Sequence, residues 1–226
     1  NNVEASLLNY EKAVSLEPQN GMVKAKLAGL LVKKGDLTRA QAILDDLASQ
    51  PAVVRSSDYL DATSALSRSF LAAGDSEKAL AISEKATTLN PEDPAVWLNL
   101  GSLYFDLKEY DLALRNFDKS LSLDKDFALA YSNIGQVYLS RFVAENDSTW
   151  AEKALGYFNR AIKLNPGLAA AYNGRASILL ASRQVDKAIS DYERAIKLDP
   201  NMMDAYINIS LALRQQGIDI AARSNR

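Results

Sequence analysis

Cysteine and histidine are both absent from this 226-residue chain. Disulfides, Cys/His zinc sites, thiol nucleophiles and Ser-His-Asp triads are thereby excluded. No glycine-rich phosphate loop is present, and the carboxylates are scattered rather than paired, so no catalytic centre, metal or cofactor is expected. No apolar run approaches the roughly 18 residues of a membrane span, so no membrane insertion is expected. Twenty-six Lys and Arg against 28 Asp and Glu give a net charge of −2. That balance lacks the basic footprint of a nucleic-acid grip, and nucleic acid is not expected as a partner. Missing cysteine is compatible with a reducing cytosol and with a bacterial envelope, so the compartment stays open. The chain opens at Asn1 with neither Met nor a leader, which reads as a trimmed product. What is present is 48% apolar and 24% charged residues, an ordinary folded composition at a length that supports a substantial core.

Self-comparison shows a period. Residues 86–91 (ATTLNP), 161–166 (AIKLNP) and 195–200 (AIKLDP) end alike, and 13–18 (AVSLEP) opens the chain in the same way. Pro166 and Pro200 are 34 residues apart, and 34 residues beyond Pro91 lies Lys125 of the matching SLSLDK. From Pro94, Trp97, Leu100, Gly101 and Tyr104 are spaced W-x2-L-G-x2-Y, followed by Ala113 and Phe117 as A-x3-F. The next units repeat the frame with Tyr131, Ile134, Gly135, Tyr138, Ala154 and Phe158, then Tyr172, Ala176, Ala188 and Tyr192. Leu66, Ser67, Phe70 and Ala79 continue it upstream, as do Leu27, Ala28, Leu31 and Ala40.

This pattern closely resembles the tetratricopeptide repeat (TPR), over the whole chain. The resemblance implies an all-α fold, a right-handed superhelix of antiparallel helix pairs. The chain is expected to form a single solenoid: a half repeat at 1–20, repeats at 21–59, 60–93, 94–127, 128–168 and 169–202, and a partial unit at 203–226. Six layers about 10 Å apart give a channel on the order of 60 Å.

The chemistry of the frame is legible residue by residue. Small residues at the eighth place (Ala28, Ser67, Gly101, Gly135, Ala176, Ser210) admit the second helix closely. Ala40, Ala79, Ala113, Ala154, Ala188 and Ala222 answer from that second helix, while Phe70, Tyr104 and Tyr138 are expected between units. Gly35-Asp36 and Gly74-Asp75 end one helix and cap the next, and Asp93-Pro94 starts another.

Three places break the period. The unit at 128–168 is seven residues too long, and the excess at 140–149 reads as a lengthened turn closed by a Thr149/Glu152 capping box. Trp150 beside it either covers that turn or anchors a partner. Asn146-Asp147-Ser148 is a glycosylation sequon, uninformative without a secretory context. A five-residue excess near 50–59 reads as a longer connection, a bend or a mild hinge. Neither end carries a polar cap, which points to truncation, to homo-oligomer contact through the terminal helices, or to both.

By the resemblance, a concave groove formed by the first helices holds a protein or peptide partner. Its lining includes Leu98, Asn99, Ser102 and Phe105, then Leu129, Asn133 and Gln136, then Asn173 and Asn208. An amide offers donor and acceptor to a peptide backbone, and the superhelical region of O-linked sugar transferases is similar in using an asparagine ladder. Here Gly174 interrupts the ladder, which is either a working device or family background. Lys26, Lys33 and Arg68 form a candidate basic end for an acidic stretch, or else a solvated face. The carboxylate clamp of chaperone-binding relatives has no counterpart here: its places hold residues such as Ala25, Gly29, Ala65 and Leu98. The function implied is a non-catalytic protein-interaction scaffold. An accessory domain that recruits substrates for a larger enzyme, and a self-assembling structural protein, are the alternatives.

Overall fold

The computed structural model describes the backbone of residues 2–224 and the side chains of residues 3–217. The chain divides into two compact units, one ending at Asn116 and the other starting at Phe117. Among the described residues every regular element is a helix. The first unit contains α1 (Asn2–Leu16), α2 (Gly21–Lys34), α3 (Leu37–Leu47), α4 (Pro51–Val54), α5 (Ser57–Ala72), α6 (Ser76–Leu89) and α7 (Pro94–Asp106). The boundary falls within α8 (Tyr110–Leu123). The second unit contains α9 (Ala128–Glu145), α10 (Ser148–Leu164), α11 (Ala169–Ala181), α12 (Val185–Leu198) and α13 (Met203–Ser224). The architecture is that of a TPR solenoid.

Turn chemistry dictates the helix ends. Gly35 and Gly74 adopt φ of +88° and +84°, a conformation open to glycine at no steric cost. The carboxylates of Asp36 and Asp75 then accept from the N–H of Arg39 and Lys78, capping α3 and α6. Hydrogen bonds from the Lys78 ammonium and then from the Lys78 N–H hold the Asp75 carboxyl below its ordinary pKa. Asp93 caps α7, with Pro94 as its first residue. The corresponding turns after α7 and α11 use Lys108 (φ 63°) and Arg183 (φ 60°) instead of glycine.

Packing follows the repeat frame. In the first unit Leu27, Leu31, Leu44, Leu47, Tyr59 and Leu66 bury against one another. Ser67, at the small-residue place, donates to or accepts from Ser83 Oγ at 2.8 Å and contacts the Ala79 carbonyl at 2.8 Å, so its hydroxyl is satisfied inside the helix pair. In the second unit the ring of Phe158 presses on two glycines. A Cβ on Gly135 would stand 2.8 Å from that ring, and one on Gly174 would overlap it. Fully burying such a side chain is worth about 1.5–3 kcal/mol.

The insertion at 140–149 is helix, not turn: α9 has 18 residues and α10 has 17, against 13 and 14 in α11 and α12. Nothing in residues 140–145 (SRFVAE) breaks a helix, so the chain continues until Asn146, which takes the left-handed conformation (φ 53°). Asp147, not Thr149, then caps α10 by accepting from the Thr149 N–H at 2.9 Å. The excess near 50–59 is the longer connection expected, and it is ordered as a one-turn helix, α4, whose Val53 and Val54 are buried and whose Val54 carbonyl accepts from the buried Asn90 amide at 2.9 Å. At the other end α13 is one continuous helix, so the expected turn and second helix of the last unit are absent from residues 203–224. Ser210 is accordingly exposed, having no second helix to admit, and the side chain of Ala222 lies outside the described residues. Tyr138, expected between units, stacks within its own helix pair on Trp150 and Tyr157, with ring centroids at 5.7 and 5.5 Å. Tyr104 does reach the preceding repeat, donating to Glu84 Oε1 at 3.3 Å.

Candidate functional site

In each unit the first helices of successive repeats lie side by side: α2 with α5 and α5 with α7 in one, α9 with α11 and α11 with α13 in the other. Residues spaced along one side of these helices therefore share a face.

In the first unit Asn99 and Phe105 are half-buried, and Phe105 packs on Tyr110 at 5.8 Å between centroids. Ser102 donates to the Leu98 carbonyl at 2.9 Å. Leu98 itself is only 5% exposed, so it belongs to the core and not to a contact surface. Lys26, Lys33 and Arg68 do not make one basic end. Lys26 pairs with Asp58 at 3.7 Å, and Arg68 faces Asp106. Partial burial pushes the Asp106 carboxyl up, with Arg68 opposing the shift. Lys26 and Lys33 instead form one wall of a cleft of about 400 Å³ whose other wall carries Asp58 and Asp61, over a floor of Ala25, Gly29, Ala62 and Ala65. The acid that pairs with Lys26 comes from the helix alongside, α5, which a reading along α2 alone does not show.

In the second unit Leu129 is 38% exposed, and Asn133, Gln136, Asn173 and Asn208 are half-buried. The Asn208 Nδ2 donates to Asn173 Oδ1 at 3.2 Å, joining α13 to α11. Ser177 donates to the Asn173 carbonyl at 3.0 Å and meets the Tyr192 hydroxyl at 3.1 Å. The break in the ladder has a steric cause. The place after Asn173 must be glycine because Phe158 fills the space of its Cβ, so the amide moves back one residue and still reaches Asn208.

Two further groups are built around Arg175, which the sequence-based set lacks, and Trp150. Arg175 is paired with Asp191 by two hydrogen bonds, of 2.6 and 2.8 Å. The signal was an arginine where the frame has leucine or isoleucine. Around Trp150, Arg141 and Lys153 lie 5.2 and 4.5 Å from the ring, and the indole N–H donates to Glu145 at 2.8 Å. The tryptophan is thus engaged inside the lengthened helix pair. Among the described residues no cluster of carboxylates could hold a metal ion, and no helix is long and apolar enough to cross a membrane.

Comparison with known proteins agrees with this architecture. Family models described as TPR repeat or tetratricopeptide repeat match residues 60–103, 101–140 and 169–202. The chain is 26% identical over 163 residues to the cell division cycle protein 27 homolog of Caenorhabditis elegans, covering 72% of this chain and 19% of that protein. It is 26% identical over 172 residues to the human protein O-mannosyl-transferase TMTC1, covering 72% of this chain and 18% of that one. It spans less than a fifth of the length of each. Among solved structures, a chain of the APC/C hetero-tetramer Cut9-Hcn1 superimposes with a TM-score of 0.66 at 17% identity, covering 93% of this chain and 39% of that one. The registered motifs, the helix pairs and these matches together show that the chain belongs to the tetratricopeptide repeat family.

Proposed function

We propose that this chain is a non-catalytic scaffold that holds a peptide or helical segment of a partner protein against the faces formed by its first helices. The observation that carries the reading is the paired amides of Asn173 and Asn208 on adjacent first helices. Each amide has more donors and acceptors than that one bond uses, and the pairing fixes their orientation. Asn133 and Gln136 on α9 present the same chemistry. Oriented amides recognise a peptide backbone without demanding a side-chain sequence, and an open face of this kind does not isolate a reaction from water. The likeness to a chain of a hetero-tetrameric assembly supports a role in protein association.

The test is to select binding peptides from a displayed random library and to measure their affinity by fluorescence anisotropy. Asn133→Ala with Gln136→Ala, and Asn173→Ala with Asn208→Ala, are expected to weaken a selected peptide at least tenfold, whereas Arg194→Ala on α12 leaves it unchanged. Selected peptides indifferent to all four inner-face substitutions would place recognition elsewhere and overturn the proposal.

A second reading has its own observation. Met203, Tyr206, Ile207, Leu211 and Leu213 on α13 are each between 45% and 68% exposed. An apolar surface of this kind favours self-association. Light scattering across concentration tests it, and a mass of one chain at every concentration removes it.

A further inference from the structure

Arg175 occupies the seventh place of its repeat, where the other units carry Leu27, Leu66, Leu100, Ile134 and Ile209. The Arg175–Asp191 pair is partly buried, and an ion pair in such a place usually stabilises no better than apolar packing, so stability alone does not account for a guanidinium here. Its Nε donates to Asp191 Oδ2 at 2.6 Å, Nη2 to Asp191 Oδ1 at 2.8 Å and Nη1 to Asn159 Oδ1 at 2.9 Å. Asp191 is 9% exposed, and both its oxygens are engaged by Arg175, so its charge is neutralised in place. One N–H on each Nη atom remains unused.

These groups do not lie on the proposed inner face. Arg175 is two residues beyond Asn173 on α11, about 200° around the helix axis. There a cleft of about 450 Å³ opens among α10, α11 and α12, with Leu155 and Leu179 contributing its apolar surface and Lys187 its rim. That volume is within the range of about 300–1,000 Å³ typical of ligand sites. Lys187 Nζ donates to the neutral Gln184 Oε1 at 2.9 Å, and among the described residues no carboxylate lies within ion-pair distance of it. The cleft therefore combines one uncompensated ammonium, a guanidinium held rigidly with donors to spare, and apolar carbon between them.

We propose that this cleft is a second docking site, for a partner-protein segment in which an aspartate or glutamate adjoins a leucine-like residue. The carboxylate is received by Lys187 and the unused N–H groups of Arg175, and the apolar neighbour packs on Leu155 and Leu179. Asp191 and Asn159 orient the guanidinium, so the site exists before the ligand arrives.

The test uses two capped tripeptides, acetyl-Leu-Asp-Leu-amide and its isostere acetyl-Leu-Asn-Leu-amide, titrated into the labelled chain while the NMR signals of the Arg175 Nε–H and the Lys187 side chain are followed. A saturable shift at both residues, at least tenfold tighter for the aspartyl peptide and weakened by 0.5 M salt, is expected. Lys187→Glu should abolish it with an unchanged thermal midpoint. Arg175→Leu combined with Asp191→Leu restores the apolar place of the frame, keeps the fold and should lose binding at least tenfold, which covers the case in which Arg175→Ala alone unfolds the unit. Equal response to the two peptides, no shift at Arg175 and Lys187, or full binding by Lys187→Glu would overturn the proposal and leave Arg175–Asp191 as a structural pair only.

Discussion

The two units use one helix-pair frame and present different chemistry on it. Along the first helices of the first unit, opposite charges face each other: Lys26 with Asp58, and Arg68 with Asp106. The same side of the second unit carries the amides of Asn133, Gln136, Asn173 and Asn208. Their turns differ as well. In the first unit glycine takes the positive φ after α2 and α5 and Lys108 after α7, whereas in the second unit only non-glycine residues, Asn146 and Arg183, take it, after α9 and α11. Their packing differs most. The first unit fits side chains of middling size around Leu31, Leu47 and Leu66, while the second wedges one aromatic ring between two glycines. The repeat period fixes where helices lie. Which residue pairs neutralise, stack or collide is decided by neighbours a full repeat away in sequence.

That contrast can be broken at graded cost. Phe158→Ala should destabilise the second unit by about 3–5 kcal/mol, read as an earlier urea transition in the fluorescence of Trp150, while Trp97 reports the first unit. Gly174→Asn, which would complete the asparagine ladder, should instead cost roughly 1–3 kcal/mol through overpacking. In the Phe158→Ala background most of that penalty should vanish, and an additive double mutant would show that the ring is not the cause. Next come the turns. Gly74→Ala forces an L-residue into the left-handed region and should cost about 1–2 kcal/mol, whereas Arg183→Gly should be neutral or stabilising, as thermal midpoints would show. The smallest effect is expected at the exposed Lys85–Asp45 pair of 2.6 Å, where Asp45→Asn should change stability by about 0–1 kcal/mol and by less in high salt.

The parts legible in the sequence were those set by short-range chemistry. Gly35-Asp36, Gly74-Asp75 and Asp93-Pro94 each specify a helix end within two residues, and each sits where those residues require. The lengthened pair at 128–168 shows in the sequence as an excess; its helical state follows from the absence of any helix breaker in 140–145, a local signal that the repeat frame masks, and the stacking of Trp150 on Tyr138 appears only in three dimensions. The basic end suggested by Lys26, Lys33 and Arg68 changes character for a related reason: Asp58 and Asp61 of the adjacent α5 line the same cleft as Lys26 and Lys33. Leu98, expected in the groove, is core at 5% exposure, whereas Asn173 at the same fifth place is half-buried. Gly174 looked like a missing asparagine. Its meaning appears only when Phe158 is seen filling the space.

The central claim, recognition by oriented amides of the second unit, is tested most directly by binding a selected peptide that carries a nitroxide spin label at its midpoint. The side-chain amide signals of Asn133, Gln136, Asn173 and Asn208 should broaden strongly, and those of Gln184 and Asn159 should stay sharp. Broadening confined to Gln184 and Asn159, with the four inner amides untouched, would contradict the account.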